Sequence, residues 1–271
     1  MKKFFLFSFL FILALIIIIV GYLSIIGYQT DKFNSLLENK IKSNLPNTTI
    51  DLKNIKIKIN AKNFSFFVST KEPNIQYYNT KVNLKKIDGY INLKSLLTGK
   101  PNIEKINILS SEVDMKKFKD IAKYLKPSNF KKFFLNEVDS GKIMLNIDLY
   151  LKDNKINNYE INGIVKNFNV SLQNIKLKRA SFVYFIKKDF GEINNLRGLI
   201  NGFQINSGNI AFKNTKFLNI KGDLSSDLNL KKEDLVKLIE KKTLKNFTES
   251  QFKGNIKSSF LINFDETLKI T

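Results

Sequence analysis

The residue types that most often carry out catalysis are scarce in this chain. Its 271 residues include no His and no Cys, which removes the commonest general base, the commonest metal ligand and all thiolate chemistry. Asp189-Phe190-Gly191 matches the magnesium motif of kinases, but no glycine-rich loop or His-Arg-Asp element accompanies it, so a turn is the better interpretation. Glu137, Asp139 and Asp148 show no recognised metal-ligand spacing. The sequence therefore predicts a protein that is not an enzyme and that needs no cofactor.

The strongest pattern in the chain is an alternation of apolar and more polar residues. A side-chain period of two is typical of a β-strand with one apolar face. That face must meet either a second sheet, as ordinary core, or a bound apolar ligand such as lipid, and the pattern alone leaves both possibilities open. The candidate apolar-binding residues are Ile55, Ile57, Ile59, Phe64, Phe66, Ile143, Leu145, Ile147, Leu149 and Leu151.

The N-terminus carries a segment long enough to span a membrane. No charged residue interrupts Phe4 to Tyr28. Twenty-five residues form about 37 Å of helix, against a hydrocarbon core of about 30 Å. A cleaved secretory signal has a shorter apolar region, so we expect a retained anchor. Lys2 and Lys3 favour a cytoplasmic N-terminus, with the rest of the chain on the other side.

The formal net charge of +21 comes almost entirely from lysine. Such a charge favours contact with anionic surfaces, including lipid head groups. Nucleic-acid binding is not expected, because specific binders usually show arginine and a clustered basic element. Lys176, Lys178 and Arg179 are a candidate phosphate contact, although a solvated strand face is the better interpretation.

The remaining pattern predicts a mainly β protein with a few short helices. Helices are expected over 31–43, over 115–125 with Asp114 as the N-cap, and over 232–245. Short strands without intervening helices predict an antiparallel meander. They are expected at 159–165, 168–172, 180–186, 196–205, 209–212, 217–224 and 252–264, with a turn at 206–208. Glycines recur at Gly163, Gly198, Gly222 and Gly254, where a curling sheet needs bends or close approaches.

Residues Leu93 to Met115 carry a pattern that resembles a known family. A strand ending at Leu93 is followed by Leu96-Leu97-Thr98-Gly99-Lys100-Pro101 and then by a second apolar strand. This arrangement is similar to the N-terminal region of the AsmA-like superfamily, which includes AsmA, TamB and YhdP. Stretches near residues 139–163 and 224–264 also look like the domain found in YhdP-type members. The resemblance covers most of the chain, which is shorter than usual members of the family.

The resemblance implies a bacterial inner-membrane protein with its bulk in the periplasm. It divides the chain into a transmembrane anchor (1–28), a linking helix (29–49) and an AsmA-like β-rich domain (50–271). The implied fold is a curled antiparallel β-groove, or β-taco, whose ten candidate residues line a path for phospholipid acyl chains. The implied function is assistance to lipid transport between the inner and outer membranes, with phospholipids, the inner membrane and other envelope proteins as partners. The alternative is a non-catalytic envelope assembly or scaffold factor with a closed β-body.

Overall fold

The structure is a computed structural model, and it describes residues 2–32, 34–44, 47–60, 65–92, 95, 102–127, 129–152, 155–172, 175–214, 218–231 and 251–263. Its helices are α1 (Lys2–Ile25), α2 (Asn34–Asn44), α3 (Met115–Ala122) and α4 (Asn129–Glu137). Its strands are β1 (Tyr28–Thr30), β2 (Thr48–Asp51), β3 (Ile55–Asn60), β4 (Ser65–Lys71), β5 (Asn74–Tyr77), β6 (Thr80–Asn92), β7 (Ile103–Ser110), β8 (Val113–Asp114), β9 (Val138–Lys152), β10 (Lys155–Leu172), β11 (Ile175–Lys187), β12 (Phe190–Ile200), β13 (Phe203–Asn214), β14 (Leu218–Lys231) and β15 (Gln251–Asn263).

These strands form one large sheet. Its hydrogen-bonding order is β1-β3-β4-β6-β7-β9-β10-β11-β12-β13-β14-β15; in addition, β5 pairs with β6, β2 pairs with β5, and β8 pairs with β9. Neighbours in this order are mostly consecutive in the chain, as an antiparallel meander requires. The prediction of a mainly antiparallel β protein with an N-terminal apolar helix and few other helices is thus confirmed.

The chain divides into two compact units. The N-terminal unit comprises Met1–Val113 and Leu145–Glu160, and the C-terminal unit comprises Asp114–Met144 and Ile161–Thr271. Strands β9 and β10 are long and contribute residues to both units. Each unit has its own buried apolar cluster, around Ile55 in the first and Ala180 in the second.

The apolar helix α1 ends slightly earlier than the uncharged run. α1 stops at Ile25, Gly27 adopts a φ of +79°, and Tyr28 already pairs with Ile57 as the first residue of β1. A positive φ costs glycine little, so this residue allows the chain to turn from helix into strand. The linking helix begins at Asn34 after this short strand.

α2 is fixed to the sheet by its polar side chains. The amide of Asn34 donates to the carbonyl oxygens of Leu52 and Lys53 at 2.6 and 2.7 Å. The backbone N–H of Leu52 donates to Glu38 at 2.8 Å. These bonds satisfy backbone groups in the irregular segment before β3, which would otherwise lack partners.

The strand expected over 196–205 and the turn expected at 206–208 are both wrong. The chain turns at Asn201-Gly202, where both residues have positive φ values of 50° and 92°. Asn-Gly with two positive φ values forms the tight turn whose twist matches that of a hairpin. Gly208 lies inside β13, where the Leu224 side chain occupies the space that a Cβ would need. Its small size therefore serves packing and not a turn.

Of the two helices between β8 and β9, the sequence predicted the first and not the second. Asp114 caps α3 by accepting a hydrogen bond from the Lys116 N–H at 2.8 Å, as predicted. α4 was not predicted. Several predicted features lie outside the described residues: Phe64, the turn at 96–101, the helix at 232–245 and the strand end at Phe264.

Three of the recurring glycines of the C-terminal unit lie against backbone or side-chain atoms of neighbouring strands. The ring of Phe260 covers Gly222, and a Cβ on Gly198 would come within 2.9 Å of the Ala180 Cα. A Cβ on Gly163 would overlap the Met144 carbonyl oxygen. Gly254 is different, since nothing lies within 4 Å of its Cβ position. Three of the four repeated glycines therefore permit close strand-to-strand packing.

Candidate functional site

The strand register of the N-terminal unit gathers apolar side chains from five strands on one face of its sheet. Residues directly opposite each other in an antiparallel pair point to the same face, and the two faces alternate along each strand. The register from β3 through β4, β6 and β7 to β9 therefore defines one surface, which we call the apolar face. It comprises Ile55, Ile57, Ile59, Phe66, Val68, Ile87, Ile91, Ile103, Ile106, Ile108, Ile147 and Leu149. Thr70 and Gly89 share this face.

The structure brings most of the predicted lining residues together. Those on the apolar face are Ile55, Ile57, Ile59, Phe66, Ile147 and Leu149. Leu145 and Leu151 continue the same side of β9 by alternation, in the N-terminal unit. Ile143 belongs to the C-terminal unit, and Phe64 lies outside the described residues. Contact of these residues with lipid stays a prediction.

Sequence analysis missed half of this surface. Strands β6 and β7 supply its centre through Ile87, Ile91, Ile103, Ile106 and Ile108. The period-two signal was present in both strands, but Gly89 interrupts it in β6. Only the register, with its shift between Tyr90 and Ile91, shows that these residues share a face with β3 and β9.

The apolar face is closed at one end and only half-buried elsewhere. Ile55 is 2% exposed and packs with the buried Ile50 and Leu52. Away from this cluster every member of the face is half-buried, including Ile59, Ile106 and Leu149. A face under a second packed sheet has side chains as buried as Ile55. Among the described residues, the open part of the face therefore retains accessible apolar surface.

The half-buried end of the apolar face lies next to the end of α1. Tyr28 pairs with Ile57, so the chain entering from α1 reaches the sheet beside Ile59. The Lys58 ammonium donates to the Ile25 carbonyl oxygen at 3.0 Å. A cation at the C-terminus of a helix gives the last carbonyl groups a hydrogen-bond donor and interacts favourably with the helix dipole. Within the N-terminal unit, the open end of the face is thus near α1 and the closed cluster is farther along β3.

α1 has the length and composition of a membrane span. Its segment Phe4–Ile25 has 22 residues and a mean hydropathy of 3.1, and its most apolar stretch is not buried in the protein. Twenty-two residues form about 33 Å of helix, enough for a hydrocarbon core of about 30 Å. This finding is consistent with a single-pass membrane anchor.

The opposite face of the same strands is a ladder of polar and aromatic residues. The Asn107 amide donates to Asn146 and Asp148 at 2.7 and 2.8 Å, and the Lys105 ammonium lies 3.0 Å from Asp148. Burial lowers the pKa of Lys105, but its hydrogen bond to Asp148 and the charge of that carboxylate outweigh this effect, so the pKa is raised. The ammonium also lies 5.2 Å from the ring centre of Tyr150. These contacts pair each charge with a neighbour and hold β7 against β9.

The carboxylates considered as metal ligands have other partners or lie in turns. Asp139 accepts a hydrogen bond from Ser171 at 2.8 Å, Asp148 belongs to the Lys105 ladder, and Asp189 lies in the turn before β12. In the described part of the chain, no group of three or more Asp, Glu, His or Cys residues could hold a metal ion. Lys176, Lys178 and Arg179 are exposed along β11.

The C-terminal unit repeats the apolar pattern on one side of its sheet. Ala180, Leu196 and Ile205 are buried, and partly buried residues such as Phe182, Ile193 and Ile210 pack against them. The pairing Tyr184-Ile193-Ile210 places an apolar row across β11, β12 and β13. Burial raises the pKa of Tyr184, whose hydroxyl donates to the Met144 carbonyl oxygen at 3.2 Å.

Comparison with known protein families, curated proteins and solved structures finds no match to this chain.

Proposed function

We propose that this protein is a membrane-anchored β-groove protein that binds phospholipid acyl chains on its apolar face. The observation that carries the proposal is the half-buried state of a surface built from five strands. An aliphatic surface of this kind loses unfavourable contact with water when an acyl chain covers it. The proposal includes membership of the AsmA-like superfamily, for which the resemblance of Leu93 to Met115 is the support.

The magnitude of such binding favours exchange over permanent capture. Each fully shielded methylene contributes about 0.8 kcal/mol, so about ten half-shielded methylenes contribute on the order of 4 kcal/mol. Neighbouring rows such as Ile57-Val68 and Ile59-Phe66 present similar side chains. A lipid can therefore shift between rows without leaving a deep minimum.

The proposed setting is a bacterial inner membrane, and the apolar helix α1 supports attachment to a membrane. With α1 in a bacterial inner membrane, the open end of the apolar face lies near the membrane surface and the rest of the chain in the periplasm. Sheet curvature would form the β-taco groove, with head groups at its polar rim. The proposed role is assistance to phospholipid transport between the inner and outer membranes.

A non-catalytic envelope assembly or scaffold factor with a closed β-body is the second candidate. The closed cluster of Ile50, Leu52 and Ile55 favours it, because aliphatic side chains there pack on each other. If the whole face closed in this way in the membrane, lipid would find no accessible surface.

Photo-crosslinking of the full chain in phospholipid vesicles tests the first proposal against the second. Benzoylphenylalanine replaces Ile108 on the apolar face in one variant and Val183 in the other. Val183 is the matched control because it is apolar, 41% exposed and in the C-terminal unit, on the side opposite Tyr184. We expect a phospholipid adduct by intact-mass spectrometry at Ile108, at least about tenfold above that at Val183.

The control makes the outcome decisive. If labelling only followed exposure to free lipid, the more exposed Val183 would react at least as much as Ile108. Equal labelling at both positions, or no lipid adduct at Ile108, refutes acyl-chain binding on the apolar face. A protein adduct at Ile108 in place of lipid would support the assembly factor.

A further inference from the structure

A cleft in the N-terminal unit gathers four lysines at the corner where β4 leads into β5. Lys53, Lys71, Lys85 and Lys86 line it together with Glu72, and its volume is about 590 Å³. Lys71 and Lys86 are directly paired on the face opposite the apolar face. The cleft is therefore a feature separate from the proposed acyl-chain surface.

Backbone hydrogen bonds build the floor of this cleft. The Glu72 N–H donates to the Lys85 carbonyl oxygen at 2.9 Å, and the Leu84 N–H donates to the Pro73 carbonyl oxygen at 3.1 Å. Glu72 has a φ of 48°, an uncommon value for a residue with a side chain. The surrounding hydrogen bonds hold the backbone of this corner in one conformation, so the lysine side chains extend from fixed backbone positions.

A register shift explains why two consecutive lysines line one cleft. In a regular strand, Lys85 and Lys86 would point to opposite faces. The pairing of β6 with β7 shifts between Leu84 and Lys86. Such a bulge inserts one extra residue, here Lys85, and this residue does not follow the regular alternation of faces. Both residues consequently line the cleft.

The charges of the cleft are unbalanced. Glu72 is the one carboxylate among its lining residues, and it lies 3.2 Å from Lys53. Lys86 pairs with the buried Asp88 at 2.5 Å beneath the surface. Glu72 and Asp88 each offset one of the four lysines, which leaves an excess of two positive charges at the cleft, and both Lys71 and Lys85 are exposed at its surface.

We propose that this basic cleft binds a phosphate-bearing anion. Lysine ammonium groups bind phosphate as point charges, and several around one opening suit an anion with more than one charge. The side chains of Asn74 and Asn83 line the same opening and offer amide donors. The volume accommodates a diphosphate or a phospholipid head group.

The distance of the cleft from the end of α1 affects which kind of phosphate compound can reach it. Phe67 pairs with Lys58, whose ammonium contacts the end of α1, and Lys71 is four residues farther along β4. Four residues of strand span about 13 Å. A head group bound there belongs to a lipid that has moved along the N-terminal unit, whereas a free phosphate compound can enter directly.

Titration calorimetry of the full chain tests the inference. The protein is kept in a maltoside detergent, which carries no phosphate, and inorganic pyrophosphate is the probe. The test variant is Lys71→Gln with Lys85→Gln, which leaves the Lys86–Asp88 pair intact. The control variant is Lys221→Gln with Lys253→Gln, which removes the same charge from exposed strand positions of the C-terminal unit.

We expect saturable pyrophosphate binding, weakened at least about tenfold in the test variant and less than about twofold in the control. Competition by dihexanoyl phosphatidylglycerol would identify a lipid head group as the occupant, and its absence would identify a free phosphate compound. No pyrophosphate binding by the wild-type chain, or equal weakening in both variants, would overturn the inference. These readouts do not involve the apolar face, so this inference and the proposed function can fail separately.

Discussion

Replacing Gly163 by alanine should destabilise the C-terminal unit strongly. An added Cβ would overlap the Met144 carbonyl oxygen and come within 2.7 Å of the Tyr184 hydroxyl. A backbone atom cannot rotate away as a flexible side chain can, so β9 and β10 must move apart locally. The same movement disturbs the 3.2 Å hydrogen bond from Tyr184 to Met144.

Two costs combine in this variant. Overpacking against a rigid neighbour costs about 1–3 kcal/mol. Leaving the buried Tyr184 hydroxyl without its acceptor costs about 1–3 kcal/mol more. We expect a loss of about 4 kcal/mol in the free energy of unfolding, which corresponds to a fall of roughly 8–16 °C in Tm for a chain of this size.

Thermal unfolding of the full chain in detergent, followed by far-UV circular dichroism, measures the effect. Gly254→Ala is the control, since nothing lies within 4 Å of its Cβ position, and its change should stay within about 0.5 kcal/mol. Adding Tyr184→Phe removes one of the two clashing groups, so Gly163→Ala should cost about 1 kcal/mol less in that background. If Gly163→Ala stays within about 1 kcal/mol of wild type, the close approach of β9 and β10 is refuted.

Three further changes test other parts of the structure. Burial raises the folded pKa of Tyr184 above its unfolded value of about 10, so the stability that the neutral hydroxyl contributes is present below pH 10 and is lost as the pH rises. In urea unfolding, Tyr184→Phe should therefore cost about 1 kcal/mol at pH 7 and less at pH 11. A difference that stays constant with pH would contradict this. Asp114→Ala should cost about 1 kcal/mol by removing the bond to Lys116, whereas Asp114→Ser should restore most of it; equal Tm values for all three proteins would exclude a capping role. Ile147→Asp should lower phospholipid crosslinking at Ile108 at least about fivefold while the circular dichroism spectrum is retained, and global unfolding would instead indicate a closed core.

Local features of the structure followed directly from the order of residues. The long apolar run predicted a helix long enough to span a membrane, and α1 has that length; a helix suits such a segment because it satisfies its backbone groups internally. The alternation from Ile143 to Leu151 predicted a strand, and the Asp114 cap predicted the start of α3. Each of these features depends on interactions within a few residues.

Errors arose where two signals of similar strength competed. The apolar residues of 196–205 suggested a continuous strand, but Asn201-Gly202 turns the chain there. Ser207-Gly208 looked like a turn, yet the Leu224 side chain requires a small residue at Gly208. At Asn201-Gly202 the hairpin signal prevailed over the apolar run, and at Gly208 pairing with the next strand, β14, kept the chain extended.

By itself, the sequence determined that this protein has an apolar N-terminal helix followed by strands with one apolar face. Only the tertiary structure decided which strands pair, which residues from β6 and β7 complete the apolar face, and that Lys71 meets Lys85 and Lys86 at one cleft. The physical reason is that a period of two defines the faces of a strand but not its neighbours. Register comes from hydrogen bonds and packing between segments far apart in the chain, and a shift of one residue exchanges the two faces.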